Sequence, residues 1–516
     1  MQRLERHWTG LALVAAAVML AAPLWCVTSP AMPDYPAHLA SFWLIGGGDG
    51  GAFYRVAWSF VPNLASEILV PLLARLTGLA AAAKLFLTAS VFLWVLGPGA
   101  VHRALYGRTG IAPLLGAFFA YNANFIWGFF NYDFATGLAF AIFAAWIATE
   151  DRNGPVRLAG FAAAVTALYF CHIFAAATLA LMLAGFEAAQ NVRLERHDPA
   201  ALARRAARIL ALYMPAALAF LFLKPHGADE AGIAFNLADT MIDRFESLIQ
   251  HAFDEPAYTL PAILFGGLML ALALRRARLH PAMWGVLALL LAGALCAPEW
   301  AMGGWGVHMR LPAVFGAMLF ASAELRMSRP LRAAVMAVAL VTAGWTATAL
   351  ARNWRGYDAQ YREFNAVMAQ IPRGSRLLTV LDGNAIGERS DQPYWHMAEF
   401  AVPARGAFTP LMFTTVGQHV VQLKPPYRHF AAATAAQGSP PDLDDLDFLA
   451  RGQADQDEDI QEIFPYLLYF QCHFDIAVVV HLDGKRSPVP SVLRLRYAGR
   501  AFSLYDIRPD QACAGR

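Results

Sequence analysis

The stretch Met32-Pro33-Asp34-Tyr35-Pro36-Ala37-His38-Leu39 places a carboxylate, a phenol and an imidazole close together, just after the first long apolar run, Trp8 to Val27. Those groups stand where the chain leaves a bilayer. Pro36 suits the first turn of a helix, where its missing N–H costs nothing. The spacing predicts a helix with Asp34 at its N-cap and His38 one turn later on the same face. An acid held there can take a proton from a hydroxyl, so Asp34, with His38 beside it, is the candidate catalytic pair. The plain alternative is that Asp34 only caps the helix.

Four further groups stand at membrane depth or beside it, where an ionisable side chain is costly and therefore a functional candidate. They are Asn131 and Asp133, close behind Asn122 and Asn124; His172, in Tyr-Phe-Cys-His-Ile-Phe; Lys224 and His226; and His308 with Arg310, in Gly-Gly-Trp-Gly-Val-His-Met-Arg-Leu-Pro. Each has a bland reading. Asn131 and Asp133 can cap a helix, a lone histidine is commonly a satisfied core residue, and Lys224 and Arg310 can snorkel to headgroups. Arg310 is followed by Leu311-Pro312 in a loop otherwise poor in positive charge. Its rigid fork of donors suits a phosphate ester.

The elements that must position these residues are membrane spans. Apolar residues make up 58% of the 516 positions and charged residues 15%, well below the roughly 25% of a soluble chain. A net charge of +2 suggests no nucleic-acid partner. Apolar runs occupy 8–27, 79–97, 111–129, 132–149, 156–172, 173–190, 207–223, 259–274, 281–297, 311–325 and 331–350, about eleven spans. Arginines crowd every second connection, which predicts a cytoplasmic N-terminus. The loop 28–78 and everything after about residue 351 then face outward. The expected fold is a polytopic α-helical membrane protein, with residues 1–351 as the transmembrane domain and 352–516 as a small periplasmic α/β domain.

Within the first outward loop, residues 63–78 read as a short surface helix. In the tail, Tyr357 to Ile371 reads as an amphipathic helix. Ser375–Leu381, Phe474–His481, Ser491–Tyr497 and Ala501–Ile507 read as strands. Residues 438–462, rich in Pro, Asp and Gln, read as a loop, and their acidic run lacks the spacing of a calcium loop. Of five cysteines, Cys472 and Cys513 could pair if the tail is periplasmic. No phosphate-binding loop, nucleophile elbow or metalloprotease helix is present, so ATP-driven and serine-hydrolase chemistry have no motif to rest on.

The layout of one span and then a long outward loop opening on Asp34-Tyr-Pro-Ala-His38, followed by many spans and an outward tail, resembles the GT-C membrane glycosyltransferases. That superfamily includes the protein mannosyltransferases and the aminoarabinose transferase of lipid A. The resemblance covers the whole chain in architecture and is specific around Asp34. It implies transfer of a sugar from a polyprenyl-phosphate carrier to a lipid, glycan or protein acceptor, at the periplasmic face of a bacterial inner membrane. An acid in the first outward loop serves there as base or metal contact, which brings in a divalent metal as the one cofactor to test. By carry-over Asp34 takes the catalytic position, although Tyr35 follows it where the mannosyltransferases have an Asp-Glu pair. Arg310 corresponds in role, as ligand of the carrier phosphate. His308, His172, Asp133, Asn131 and Lys224 join it as substrate-binding candidates. The competing readings are a surface-polysaccharide polymerase or ligase, a transporter, and a non-catalytic assembly protein. A cavity lined by Asp34, His172 and Arg310 would favour the enzyme.

Overall fold

The structure is a computed structural model that describes residues 2–152, 154–195, 198–225, 232–235, 259–387, 390–430, 439–452 and 464–510. His226 and the second acidic cluster, residues 455–459, lie outside the described residues. Among those described, six helices are long and apolar enough to cross a membrane: Trp8–Trp25, Leu79–Tyr106, Phe130–Ala148, Ile173–Leu194, Pro199–Phe222 and Arg329–Gln370. Pro155–Cys171, Pro281–Cys296 and Arg310–Ser322 are shorter apolar helices. The chain is a multi-pass membrane protein. Leu210 is 71% exposed, Phe222 78% and Val341 73%; apolar side chains so bare on apolar helices face lipid. Helices Ile173–Leu194 and Trp284–Cys296 touch backbone to backbone, because a Cβ on Gly285 would lie 2.1 Å from the Gly185 carbonyl oxygen. Small residues at such crossings are how membrane helices approach closely.

Two runs fold differently from the hydropathy reading. Residues 111–129 are not one helix: Ala112–Leu115, a 3₁₀ turn Gly116–Tyr121 and Ala123–Trp127 follow one another. Asn122 is extended at the break, and its side chain accepts from the N–H groups of Asn124 and Phe125. A broken helix at this depth is tolerated because the freed backbone groups find partners inside the protein. Conversely, the span 331–350 and the helix from Tyr357 are one element, Arg329–Val367. Its Asp358 carboxylate accepts from the N–H groups of Thr28 and Ser29, at 3.1 and 2.9 Å, and so pins the start of the first loop.

The expected strands form one sheet in the order Leu493–Ala498, Phe502–Ile507, Ile476–Val480, Leu377–Leu381. The last two are parallel and buried throughout. Alternate residues divide between two cores. Leu377, Leu381, Ile476, Val478 and Val480 join the membrane-helix core, while Leu378, Val380, Ala477 and Val479 join a second core beneath the tail. Burial on both faces explains why these strands read as continuous apolar runs. The predicted loop 438–462 instead contains a helix, Leu443–Ala450, started by a capping box between Asp442 and Asp445. Its first carboxylates are helix-starting groups. Cys472 is disulfide-bonded, and Cys513, its expected partner, lies outside the described residues.

The first loop is tied to the tail. Its strand Tyr54–Val56 pairs antiparallel with Val421–Leu423. The helix Tyr35–Ile45 packs against the turn Met397–Phe400. Those two contacts bring the tail over Asp34.

Candidate active site

Asp34 precedes the helix Tyr35–Ile45, with Pro36 in its first turn, as the sequence predicts. Its side chain makes no capping hydrogen bond, so the carboxylate is not consumed by the helix start. Two neighbours hold its backbone. The Asp34 N–H donates to the Trp127 carbonyl at 3.1 Å. Gly128 turns the chain at φ +93°, where a Cβ would lie 3.2 Å from that of Asp34. Burial raises the Asp34 pKa to about 7, against the opposing pull of His396 and Arg310.

Asp34, His38, Asn131, His172 and Arg310 all line one cavity of about 470 Å³. Four separate chain segments therefore converge. His38 is enclosed by the rings of Phe130, Phe42 and Phe413 at 4.7 to 5.7 Å. Burial, then His419 and His396, drive its pKa down to about 3, leaving a neutral imidazole. Asn131 is a brace: its side-chain oxygen accepts from the Ser66 N–H at 2.5 Å, and its amide donates to Glu67 Oε2 at 2.7 Å. Glu67 is itself raised to about 7 by burial, with the Asn131 and Ser66 hydrogen bonds pulling the other way.

Arg310 is buried with its guanidinium 5.0, 4.9 and 4.8 Å from the rings of Phe129, Tyr132 and Phe174. Nη2 donates to the Trp305 carbonyl at 3.1 Å, and Nε has no partner. Among the described residues no carboxylate pairs with it at ion-pair distance. His172, extended at the break between two helices, accepts the Phe174 N–H on Nδ1. Its proton therefore sits on Nε2, which faces Arg310 Nη1 at 3.5 Å. Two donors stand side by side with no acceptor between them. That arrangement fits an anionic oxygen.

The other three expected residues do not line this cavity. Asp133 receives the Asn122 amide at 3.3 Å and offers its carbonyl to Trp94. Lys224 lies beside the Pro225 carbonyl and the Phe220 ring. His308 packs near Trp305. The structure adds residues that sequence reasoning passed over. Trp127 packs against Trp305 and Trp395, centroids 5.0 and 5.7 Å apart, making an aromatic wall from three segments. Gln392, Gln418 and His419 come from the tail. Burial lowers the His419 pKa to about 4. The Tyr-Trp-His run at 394–396 was the one visible signal in that region. Among the described residues no cluster of three or more His, Cys, Asp or Glu is arranged to hold a metal ion. The charges that act on the Asp34 carboxylate are the His396 imidazole, 3.9 Å away, and the Arg310 guanidinium.

No family model matches the chain, and no curated protein matches it. Among solved structures, ArnT from Cupriavidus metallidurans in the apo state aligns over 99% of both chains, at 12% identity and TM-score 0.49. ArnT bound to undecaprenyl phosphate aligns over the same shares at 13% identity and TM-score 0.49. The arabinofuranosyltransferase AftD from Mycobacteria aligns over 98% of this chain and 40% of its own, at 17% identity and TM-score 0.47. At these identities and scores the overlays assign no residue its role, and the chemistry rests on the cavity itself.

Proposed function

We propose that this protein is a membrane glycosyltransferase that moves a sugar from a polyprenyl-phosphate donor to a hydroxyl acceptor. The observation that carries the reading is the unpaired donor couple of Arg310 and His172 in the same cavity as the uncapped carboxylate of Asp34. A buried guanidinium with no carboxylate at ion-pair distance among the described residues is expensive, and a bound phosphate would supply that direct partner. In the transfer step Asp34 takes the proton from the acceptor hydroxyl. The acceptor oxygen bonds to the anomeric carbon, and the carbon–oxygen bond to the phosphate breaks. The bonding pair leaves with the phosphate, whose new negative charge falls to Arg310 and His172. Aromatic walls with a few convergent polar groups are how small-molecule sites are commonly built. A disulfide at Cys472 fits a tail in an oxidising compartment, and so a site at the periplasmic face.

The test is binding and turnover with the full-length purified protein. Undecaprenyl phosphate should bind the parent and fail to bind Arg310→Gln, and a strain lacking the protein should accumulate a sugar-charged lipid carrier. An unchanged pool of lipid-linked sugars together with no binding of the carrier would sink the proposal.

A further inference from the structure

The tail segment over Asp34 carries a buried chain of charges that the transfer step leaves unused. His396 is fully buried, with Nε2 3.9 Å from Asp34 Oδ1 and Nδ1 3.6 Å from Glu399 Oε1. Neither distance is a hydrogen bond, and neither ring nitrogen has one among the described residues. Glu399 is fully buried as well. Its Oε1 accepts from the Thr409 hydroxyl at 2.9 Å and its Oε2 has no partner. Thr409 is held in turn by the strand of the first loop, since its N–H donates to the Tyr54 hydroxyl at 3.0 Å. A neutral ring at 396 would leave Glu399 as a buried carboxylate without a cation, whereas an imidazolium bridges both acids.

We propose that His396 is a positioning residue for Asp34: an imidazolium held by Glu399, whose charge keeps the Asp34 carboxylate ionised while a phosphate occupies Arg310. The proposal rests on Asp34 being the base. Its physical reason is a division of labour between two cations. Asp34 is faced by Arg310, by His396 and by the neutral rings of His38 and, beyond Phe413, His419. When a phosphate neutralises Arg310, His396 is the remaining positive charge. Burial works against the His396 charge, but the attractions of Glu399 and Asp34 outweigh it and its pKa is raised. The Phe413 ring touches those of His396, His38 and His419, with centroids 5.1, 5.2 and 5.5 Å away.

The experiment is an infrared difference titration of the Asp34 carboxyl in the full-length protein, the band being identified by its loss in Asp34→Asn. Both His396→Gln and Glu399→Gln should move the midpoint up by about one pH unit or more, as loss of a nearby opposite charge does. The double variant should move it no further than His396→Gln alone, because Glu399 acts through the ring. A midpoint unmoved in Glu399→Gln overturns the proposal, since that variant keeps the imidazole and removes only its charge partner. If His396→Gln does not fold, Glu399→Gln decides alone. The titration needs no sugar donor. A shifted midpoint in a protein that never binds the carrier would keep the charge chain and sink the transferase reading; the reverse result would do the opposite.

Discussion

Arg310 Nη1 stands 3.5 Å from His172 Nε2, so the buried guanidinium meets a second donor where a carboxylate would have neutralised it. The consequence is a site that is stabilised by an anion. Arg310→Lys keeps a charge but loses the fork that can share an oxygen with His172. It should raise the KM for the donor on the order of tenfold or more, the value of a charge-assisted hydrogen bond, with smaller change in kcat at saturating donor. Steady-state kinetics over a donor series reads that split. A KM equal to that of the parent would mean that the Arg310 fork does not hold the carrier phosphate.

The same economy predicts a trade between stability and function. Arg310→Met removes a buried cation that no described carboxylate pairs and retains contact with Phe129, Tyr132 and Phe174. Thermal unfolding of the purified variant should occur at or above the parent temperature, while carrier binding is lost. A large drop in unfolding temperature would mean that the guanidinium is structural.

Much of this site was legible because chemistry-bearing residues sit at the ends of apolar runs. Asp34, His172 and Arg310 each adjoin such an end, and stranding a polar group there needs a reason. His396 and Glu399 give no such signal, since Glu399 lies in the short 3₁₀ turn Met397–Phe400 with His396 at its start, and they reach Asp34 through the packing of that turn on Tyr35–Ile45 and the pairing of Tyr54–Val56 with Val421–Leu423. Long-range pairing of two three-residue strands leaves no periodicity to read. Asn122 stands out in the sequence as a polar group inside the run 111–129, but hydropathy averaging hides that its side chain starts a new helix segment there. At the other extreme, the polar stretch after residue 351 reads as a boundary in the sequence, although the helix runs on through it. Leu377–Leu381 and Ile476–Val480 are legible because both faces are buried and Val- and Leu-rich runs of that length have little else to be, whereas Leu493–Ala498, exposed along most of its length, is legible only beside its partner Phe502–Ile507.

Asn131 was a candidate for substrate binding, and its hydrogen bonds argue for a brace. Asn131→Ala leaves the Ser66 N–H and the Glu67 carboxyl without their partner. The expected cost is about 1–3 kcal/mol of stability for the stranded groups. Donor KM should stay near the parent value. Glu67→Gln keeps an acceptor for both Asn131 and Ser66 and should leave activity close to the parent at neutral pH. Loss of donor affinity in Asn131→Ala, with the unfolding curve unchanged, would reinstate it as a ligand of the substrate.

Gly128 fixes where Asp34 stands. At φ +93° an L side chain is strained, and its Cβ would press on that of Asp34 at 3.2 Å. Gly128→Ala should cost about 1 kcal/mol or more of stability. It should reduce kcat further than stability, because a displacement on the order of 1 Å at a reacting group can cost roughly a hundredfold. Measuring kcat beside the unfolding temperature separates the two effects. An active, merely less stable variant would show that the Trp127–Gly128 turn does not set the base.

The pH behaviour of Asp34 is the sharpest division between cap and base. Burial raises its pKa from 3.8 to about 7 in the folded protein. The folded state therefore holds a proton that the unfolded chain has released over the window from about 4 to 7. The stability tied to that proton is fully present below the lower value, declines through the window and is gone above the upper one. Activity runs the other way, because only the ionised carboxylate accepts a proton, so kcat/KM should rise with pH through about 7. Asp34→Asn removes both trends that Asp34 supplies: its stability should fall less steeply between pH 4 and 7, the remaining slope being that of Glu67. Its rate should fall by about 10²–10⁴-fold at every pH, as for loss of a general base. Since the Asp34 side chain makes no capping bond, Asp34→Ala should fold about as well as Asp34→Asn. An active Asp34→Asn with a parent-like rise of rate through pH 7 would place the base elsewhere.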